Sequence, residues 1–400
     1  MSKVVKVGKN VFKDMLKFKN LGKTRDDIIH SNSSDFRTDS DPISEKADHL
    51  HPNLLKVRVT DIIPRYDAKE FVLSSLDDSP LPFFRAGSYI SIKTKIGESI
   101  TSRPYSICSS PKLALEGKYS VMIEDYPAGF VAPYLYKNLK IGDEINISSP
   151  MGTFYYEPLR DKNHVIALAG GSGVTPFISM AYAIRDKIED FNLTLVYGSR
   201  TTDSIYFKKE LDEVIKETDK VKVVHVLSDD KIDGYEYGFI TSEIIKKYTP
   251  LENYSVFACG PGSFYAFMKE DIKKLQLPKR QIRFEMEAVG RDFSKDPNYP
   301  RESKDCIYKG IIKQGGREYK IDIRGDEPIL CSIERAGIKA QSSCRSGVCG
   351  WCRTRVVKGE TYNPEKNENR RKGDIILGFI HPCASFALSD LVLEIAEEDY

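Results

Sequence analysis

The chain has 400 residues, and its 60 Lys and Arg are balanced by 58 Asp and Glu to a net charge of +2. This balance excludes the basic excess of polyanion-binding proteins, so nucleic acid is not an expected partner. At roughly 150 residues per domain, the length predicts two or three domains. No apolar stretch reaches the roughly 20 residues of a membrane span, and the start of the chain lacks the apolar core of a signal peptide. We therefore expect a cytoplasmic protein without a membrane span, in which the eight cysteines form no disulfide framework and any cluster of them binds metal or carries redox chemistry.

Residues 1–50 are predicted to be an N-terminal extension. Residues 1–25 are rich in lysine and carry apolar side chains near helical spacing, which predicts a basic amphipathic helix. Such a helix is either a solvated extension without a role or a device for peripheral docking to a membrane surface or a partner. Residues 30–49 are polar, acidic and rich in serine, which is typical of a linker.

The next two segments differ in their strand patterns. Residues 51–157 contain short alternating runs such as KVRVTDI and SYISIKTKI, separated by glycine and proline, which predict an antiparallel β-barrel. Residues 158–288 contain apolar strands such as HVIALAG and LTLVYGS that alternate with helical patterns, which predict an α/β domain. The alternation indicates a mostly parallel sheet that is covered on both faces.

The last part of the chain is predicted to be a further domain behind a linker. Residues 289–305 are charged and contain proline, which is typical of an interdomain linker. In residues 306–400, a strand pattern is followed by a helix pattern with Pro328 at its first position and Gly337 as its stop. The predicted fold class is therefore multidomain: an antiparallel β-barrel, an α/β domain and a C-terminal α+β domain.

Four cysteines have a spacing that indicates a metal centre. Cys344, Cys349 and Cys352 lie in one loop with the pattern C-x4-C-x2-C, and Cys383 follows outside the loop. This is the spacing of plant-type [2Fe–2S] ferredoxins. A structural zinc site is the alternative, but zinc loops usually carry two C-x2-C pairs, and only one such pair is present here.

The residues between these cysteines suit the same centre. Gly347 and Gly350 let the backbone N–H groups turn toward a cluster, small Ser346 leaves them unshielded, and Arg345 adds positive charge. By its cysteine spacing and its strand–helix context, the segment 306–400 resembles a plant-type ferredoxin domain of the β-grasp fold. The remaining cysteines outside the nucleotide motifs are expected to be buried or incidental thiols: Cys108, Cys306 and Cys331.

A second set of motifs covers residues 54–285. In chain order they are SRPYSICSSP, AGFVAPYL, SSPMGTF, AGGSGVTPF, LVYGSR and ACGPGSF. In this order they are similar to the motifs of the ferredoxin-NADP reductase superfamily. The resemblance implies a flavin in the barrel and a nicotinamide nucleotide in the α/β domain.

The motif Arg103, Pro104, Tyr105 and Ser106 is implied to bind the flavin. Arg103 is suited to neutralise a flavin phosphate, Tyr105 to pack its ring beside the isoalloxazine, and Ser106 to hydrogen-bond near N5 as a catalytic residue.

A helix following the barrel strands is implied to hold the flavin phosphate or pyrophosphate by its N-terminal amides. The residues concerned are Gly129, Phe130, Val131 and Ala132. Ala132 stands where a Ser or Thr is common, so one hydroxyl contact is missing. The resemblance favours FAD and leaves FMN open.

The glycine-rich turn after the first α/β strand is implied to hold the nicotinamide coenzyme. Gly170, Gly171 and Gly173 allow its pyrophosphate close to the backbone, while Thr175 is predicted to cap the following helix and Pro176 to start it.

Two further segments are implied to contact the coenzyme. Ser199 and Arg200 are suited to a 2′-phosphate, whereas Phe207 stands where NADPH-selective relatives often have Tyr, so the coenzyme stays NAD(P)H. The motif Cys259, Gly260 and Pro261 is implied to lie at the nicotinamide, with Cys259 as a catalytic thiol. His225, on an apolar strand, is interpreted as a structural histidine.

The order of the three domains resembles reductase components of oxygenase systems. It implies that electrons pass from NAD(P)H through a flavin to a [2Fe–2S] cluster and on to a partner redox protein or an oxygenase-type component. Two alternatives stay open. One is a stand-alone NAD(P)H reductase of a small acceptor, and the other is an electron-relay or docking subunit of a larger complex.

Overall fold

The structure is a computed structural model, and it describes Thr24 and residues 42–127, 129–249, 253–285, 298–365 and 368–396. Residues 1–51 form one unit and residues 52–400 another. Apart from Thr24, the basic helix predicted for residues 1–25 lies outside the described residues.

The first described element is helix α1, Pro42–Leu50. The last part of the segment that was predicted to be a linker is therefore helical. Glu45 lies in its first turn and His49 in its last, which suits the helix dipole. The exposed side chains of Ile43 and Leu50 show why no apolar face was recognised in the sequence.

The first domain of the second unit is a barrel of antiparallel strands. They are hydrogen-bonded in the order β4-β3-β6-β1-β2-β5. An antiparallel bridge from Ile107 to Val121 brings the end of β4 to β5 and closes the sheet. The strands are β1 Leu55–Arg65, β2 Ala68–Ser75, β3 Tyr89–Ile96, β4 Ser99–Ser106, β5 Lys118–Glu124 and β6 Glu144–Ile147, and the helices are α2 Pro111–Leu115 and α3 Ala132–Asn138.

The second domain has a parallel sheet in the order β10-β9-β8-β7-β11-β12. Its central strands are buried on both faces: Ala167 packs in one apolar cluster, and its neighbours Ile166 and Leu168 pack in another. This explains the continuous apolar runs in the sequence. The strands are β7 His164–Gly170, β8 Asn192–Ser199, β9 Val221–Leu227, β10 Glu236–Tyr237, β11 Ser255–Cys259 and β12 Ile282–Phe284, and the helices are α4 Thr175–Arg185, α5 Lys208–Glu217, α6 Ser242–Tyr248 and α7 Gly262–Asp271.

The C-terminal domain has a mixed sheet in the order β14-β13-β19-β15-β17, which is covered by one helix. Ile329 and Ile333 of that helix pack with Ile312 and Ile323 of the sheet. The elements are β13 Ile307–Gln314, β14 Arg317–Arg324, α8 Ile329–Arg335, β15 Thr354–Lys358, β16 Thr361–Tyr362, α9 Lys372–Ile376, β17 Phe379–Ile380, β18 Phe386–Ala387 and β19 Leu391–Ile395. Pro328 is the residue before α8 rather than its first residue.

The described end of the predicted linker, residues 298–305, packs on the C-terminal domain. Tyr299 is 5% exposed, lies against Tyr362 and Phe386, and donates a hydrogen bond from its hydroxyl to the Gly325 carbonyl at 2.8 Å. Residues 286–297 lie outside the described residues. Tyr299 was not recognised in the sequence as a packing residue because its neighbours are charged or polar.

Salt bridges and hydrogen bonds join the barrel to the parallel-sheet domain. Arg65 binds Glu70 of its own domain and Glu210 of the other. Ser179 donates to the Ser109 carbonyl at 2.8 Å in a fully buried position. Within the described ranges, no helix is both long enough and apolar enough to cross a membrane.

Candidate functional site

The four cysteines with ferredoxin-like spacing come together as two pairs. Cys352 Sγ lies 3.3 Å from Cys383 Sγ. The thiols of Cys344 and Cys349 hydrogen-bond to each other, which lowers the pKa of Cys344 and raises that of Cys349. Three of the four are buried, and Cys349 is exposed. The loop before β15 supplies three thiols, and the turn between β17 and β18 supplies Cys383.

Backbone N–H groups of the loop point at the sulfur atoms. Those of Ser346 and Cys349 donate to Cys344 Sγ at 3.5 Å and 3.4 Å, and that of Trp351 donates to Cys349 Sγ at 3.4 Å. This curl needs left-handed backbone, with a φ of +79° at Gly347 and +73° at Gly350. Glycine adopts that region without cost, as the sequence predicted.

The donor set fits a [2Fe–2S] cluster. Two thiol pairs provide two ligands for each of two irons, and amides aimed at sulfur stabilise negative charge. The hydroxyl oxygen of Ser346 is buried without a hydrogen-bond partner, so the loop interior offers a further unused polar atom. No zinc-type second C-x2-C pair contributes to this arrangement.

The surface beside the cysteine loop is apolar and basic. Val348 and Trp351 are 50% and 47% exposed. A groove of about 580 Å³ runs past Trp351, Arg353 and Phe379. The Arg353 guanidinium lies 4.1 Å from the centre of the Phe379 ring and 3.3 Å from Asp374, so this face is held in place by its own contacts.

Three of the four other cysteines lie outside the nucleotide motifs, and one of these three is close to the cysteine loop. Cys108 is buried in the barrel domain, and Cys306 is exposed. Cys331 lies on α8, where its Sγ is 3.9 Å from Arg345 Nη2.

Arg103, on strand β4, is a half-buried cation whose hydrogen-bond partners are neutral. Its Nη1 donates to Thr101 Oγ1 at 2.8 Å and to the Ser102 carbonyl at 2.7 Å. Burial, and then the charge of Arg345, lowers the pKa of Arg103 to about 10, so it is charged at neutral pH. A cation of this kind is suited to a phosphate group.

The predicted phosphate helix is present and lies near Arg103. It is α3, Ala132–Asn138, and Val131 is the residue before it. Arg103 and Phe130 line the same cavity, whose volume is about 220 Å³. The structure therefore brings the two implied flavin-phosphate segments together.

The other members of the flavin motif follow on the same strand. Pro104, Tyr105 and Ser106 pair with Ser91, Ile90 and Tyr89 of β3. Burial raises the pKa of Tyr105, so its hydroxyl stays protonated.

A pocket of about 670 Å³ lies at the carboxyl ends of the parallel strands. This edge of an open parallel sheet is where ligands usually bind. Its lining includes five of the ten residues predicted for the coenzyme: Gly170, Gly171, Ser199, Arg200 and Pro261. The structure thus collects segments from three different strands around one pocket.

Gly173 fixes the contact between two of those segments. A Cβ placed on Gly173 would lie 2.2 Å from the Cys259 carbonyl oxygen and 2.7 Å from the Gly260 nitrogen. Only glycine lets the turn after β7 approach the end of β11 this closely.

The prediction that Thr175 caps helix α4 is wrong. A 3-10 turn, Gly171–Val174, precedes the helix, so Thr175 is already its first residue and Pro176 its second. The Thr175 hydroxyl instead donates to the Ser172 carbonyl at 3.0 Å.

Arg200 and Ser199 lie at the end of β8, as their motif implied. Arg200 is 83% exposed, and its Nε is 3.0 Å from Asp229 Oδ2. Ser199 Oγ is buried without a hydrogen-bond partner. Phe207 is 2% exposed, and it is the preceding Tyr206 that lines the pocket.

Cys259 ends strand β11 and is buried. Burial, and then the charge of Glu285, raises the pKa of Cys259, so it is a neutral thiol. Burial raises the pKa of Tyr89 in the barrel, and the charge of Glu285 adds to that rise. The sequence reasoning missed Glu285; its signal is one acidic residue directly after the last strand of the parallel sheet.

His225 has the surroundings of a structural residue. Its ring centre lies 5.8 Å from those of Tyr197 and Tyr235. Burial lowers its pKa to about 4, so it is neutral at physiological pH.

The barrel with its half-buried Arg103, the coenzyme-sized pocket and the cysteine loop define a flavin- and nicotinamide-dependent iron–sulfur oxidoreductase. Three domain families match the chain one after another. The oxidoreductase FAD-binding domain matches residues 67–156, the oxidoreductase NAD-binding domain matches residues 167–270, and the 2Fe-2S iron-sulfur cluster binding domain matches residues 312–388. The chain thus combines FAD-binding and NAD-binding oxidoreductase domains with a C-terminal [2Fe–2S] cluster binding domain, as the resemblance to ferredoxin-NADP reductases implied. It is an NAD(P)H-dependent electron-transfer reductase, with FAD and a [2Fe–2S] cluster as its cofactors.

Two curated relatives match this chain over most of its length and over most of their own length. One subunit of 1,2-phenylacetyl-CoA epoxidase from Escherichia coli K12 is 26% identical over 322 residues, which cover 78% of this chain and 88% of that protein. The glycine betaine monooxygenase reductase subunit from Chromohalobacter salexigens is 25% identical over 344 residues, covering 82% and 92%. The solved structure of phthalate dioxygenase reductase shares the fold, with a TM-score of 0.61 and 24% identity over 86% of this chain and 98% of that one.

Proposed function

We propose that this chain is the reductase component of an oxygenase system. It takes two electrons from NAD(P)H and delivers them singly, by way of the flavin and the [2Fe–2S] cluster, to an oxygenase-type component or another redox protein. The observation that carries the proposal is the placement of the cysteine loop. Its inner side contacts strands β3 and β4 of the barrel, and its outer side exposes Cys349. Relatives named as monooxygenase reductase subunits support the same role.

In this proposal the barrel domain binds the flavin, which supplies the conversion of a two-electron donor into single electrons. Arg103 neutralises the flavin phosphate, and the amides before α3, at Gly129 and Phe130, complete that phosphate site. Tyr105 holds its ring beside the flavin, and Ser106 offers a hydroxyl near the flavin's reactive nitrogen.

The coenzyme is held by backbone more than by side chains. Gly170, Gly171 and Gly173 leave room for its pyrophosphate, while Ser199 and Arg200 contact its adenosine ribose. Cys259 and Glu285 border the nicotinamide end. Because Cys259 is neutral, its role is to pack against the nicotinamide and exclude water rather than to act as a nucleophile.

The acceptor docks at the face formed by Val348, Cys349 and Trp351. This face is the outer side of the cysteine loop, and half-exposed apolar side chains of this kind are typical of transient interfaces. The working compartment is the cytoplasm, because a reducing environment keeps the cluster thiols and Cys306 from forming disulfides.

The test compares Cys383→Ser with Cys306→Ser. Hydroxyl is a poor ligand for iron–sulfide chemistry, so the first variant loses the cluster, whereas Cys306 is exposed outside the loop and serves as the matched control. Both variants should reduce ferricyanide with NAD(P)H, and only Cys306→Ser should reduce cytochrome c or a partner isolated by anaerobic pull-down.

Three results would contradict the proposal. If Cys383→Ser reduces protein acceptors at the unmodified rate, the chain is a stand-alone flavin reductase. If the intact protein does not oxidise NAD(P)H, it is a relay or docking subunit. If the isolated partner is not reduced by the intact protein, the oxygenase-type acceptor is wrong.

A further inference from the structure

The cysteine loop is fastened to the barrel by buried hydrogen bonds just before its first cysteine. The hydroxyl oxygens of Ser102 and Ser342 are 2.8 Å apart, and those of Tyr89 and Ser343 are 3.1 Å apart. Ser91 donates from its hydroxyl to the Ser343 carbonyl at 3.4 Å. All five side chains are buried, so this seam is shielded from water.

A buried carboxylate extends the seam to the next residue of the loop. Glu334, on α8, accepts hydrogen bonds from Arg345 Nη1 at 2.6 Å and Arg345 Nη2 at 2.9 Å. Its Oε2 also accepts from Thr101 Oγ1 of the barrel at 3.1 Å, and that same hydroxyl accepts from Arg103 at 2.8 Å. Glu334 is 3% exposed and Arg345 is 8% exposed.

These contacts connect the barrel strand that carries the flavin motif with the cysteine loop, and the electrons are proposed to pass between these two segments. Arg103 lies on the strand that carries the flavin motif, and Arg345 directly follows the cluster cysteine Cys344. A buried charge must be paired, and Glu334 satisfies Arg345 and the barrel hydroxyl at once. A shift of the C-terminal domain along the barrel would therefore break a desolvated charge-assisted hydrogen bond, which holds the two domains in one register.

We propose that Glu334, acting with Thr101, is a positioning residue that sets the placement of the cluster loop against the flavin strand and thereby the rate at which the cluster is reduced. The proposal rests on the proposed function, in which the cluster receives its electrons within this chain. Glu334 has no hydrogen bond to a cluster cysteine and lines the cavity beside Arg103, so a geometric effect is one that slows cluster reduction while flavin content and flavin reduction stay unchanged.

The sharpest test removes the hydroxyl that links the domains; because this hydroxyl also accepts from Arg103, flavin content serves as the control for the flavin site. Thr101→Val keeps the shape of the side chain and leaves the Arg345–Glu334 pair intact, and Thr101→Ser restores a hydroxyl. Misplacement of a reacting pair by about 1 Å can cost up to roughly 100-fold in rate, so we expect Thr101→Val to slow cluster reduction by at least about tenfold relative to flavin reduction. Stopped-flow absorbance with NAD(P)H measures both rates, and flavin and iron contents are measured on the same samples.

A second measurement reports on the backbone at the start of the cysteine loop. Hydrogen exchange at residues 342–345 should speed up in Thr101→Val and Glu334→Gln and return to the unmodified level in Thr101→Ser. Glu327→Gln is the control, since Glu327 is also 3% exposed and accepts hydrogen bonds from Ser332 and Arg335, but these donors belong to its own domain. It should change neither the rate ratio nor the exchange at 342–345.

Three outcomes would overturn the inference. The positioning role is wrong if Thr101→Val keeps the unmodified rate ratio, or if Glu327→Gln slows cluster reduction as much as Glu334→Gln does. If the cluster of the unmodified protein is never reduced by NAD(P)H, the proposed function fails, and the positioning role falls with it.

Discussion

Substituting Gly173 by alanine tests whether the turn after β7 builds the coenzyme site. The added Cβ would lie 2.2 Å from the Cys259 carbonyl oxygen, whereas an ordinary contact begins at 3.4 Å. The two backbone segments must therefore separate by about 1.2 Å, the difference between these values. Because the obstacle is backbone, no side-chain rotation relieves it.

The displacement lies where the nicotinamide is proposed to bind. Overpacking of this kind costs about 1–3 kcal/mol of stability. Misplacement of reacting groups by about 1 Å can cost roughly 100-fold in rate. We therefore expect kcat/KM for NAD(P)H to fall by about 100-fold in Gly173→Ala, while flavin and iron contents stay unchanged.

Gly198→Ala is the matched control. Gly198 lines the same pocket, but a Cβ there meets its nearest atom, Ile240 Cδ1, at 3.4 Å. Anaerobic stopped-flow bleaching of the flavin by NAD(P)H measures both variants, and Gly198→Ala should stay within about threefold of the unmodified protein. Equal rates in Gly173→Ala and Gly198→Ala would refute the reasoning.

Three further outcomes are expected. Arg103→Ala should weaken flavin binding by about 1.5–3 kcal/mol, roughly 10- to 150-fold, and keep the cluster; full flavin occupancy after dilution and gel filtration would show that Arg103 is not the phosphate anchor. Arg200→Ala should raise KM for NADPH about tenfold and leave KM for NADH within about twofold, because Arg200 is the exposed cation at the proposed ribose site; equal changes for both coenzymes would contradict its contact with a 2′-phosphate. Deleting residues 1–51 should leave flavin content and NAD(P)H oxidation intact, because these residues form a separate unit; loss of either would place the extension in the catalytic core.

The cysteine loop was predictable because its information is local. Three thiols, two glycines and a small serine lie in one short segment, and the spacing of its cysteines together with a fourth, Cys383, 31 positions after Cys352, indicates the centre. The alternation of strands and helices likewise predicted the parallel sheet, since both faces of its central strands are apolar.

Contacts between distant segments were not predictable from the sequence. Thr101 and Glu334 are 233 positions apart, and neither belongs to a recognised motif. The cap at Thr175 was mispredicted because a 3-10 turn takes up the residues before the helix. Tyr299 was hidden in a charged stretch whose composition is typical of a linker, although its ring is anchored on the C-terminal domain.

The most direct test of the electron route is rapid freeze-quench electron paramagnetic resonance of the intact protein, mixed anaerobically with NAD(P)H and without any acceptor. We expect the signal of a reduced [2Fe–2S] cluster to develop after flavin bleaching and to approach one spin per chain. A bleached flavin beside a cluster that stays oxidised would contradict the account, because electrons would then leave the protein without passing through the C-terminal domain.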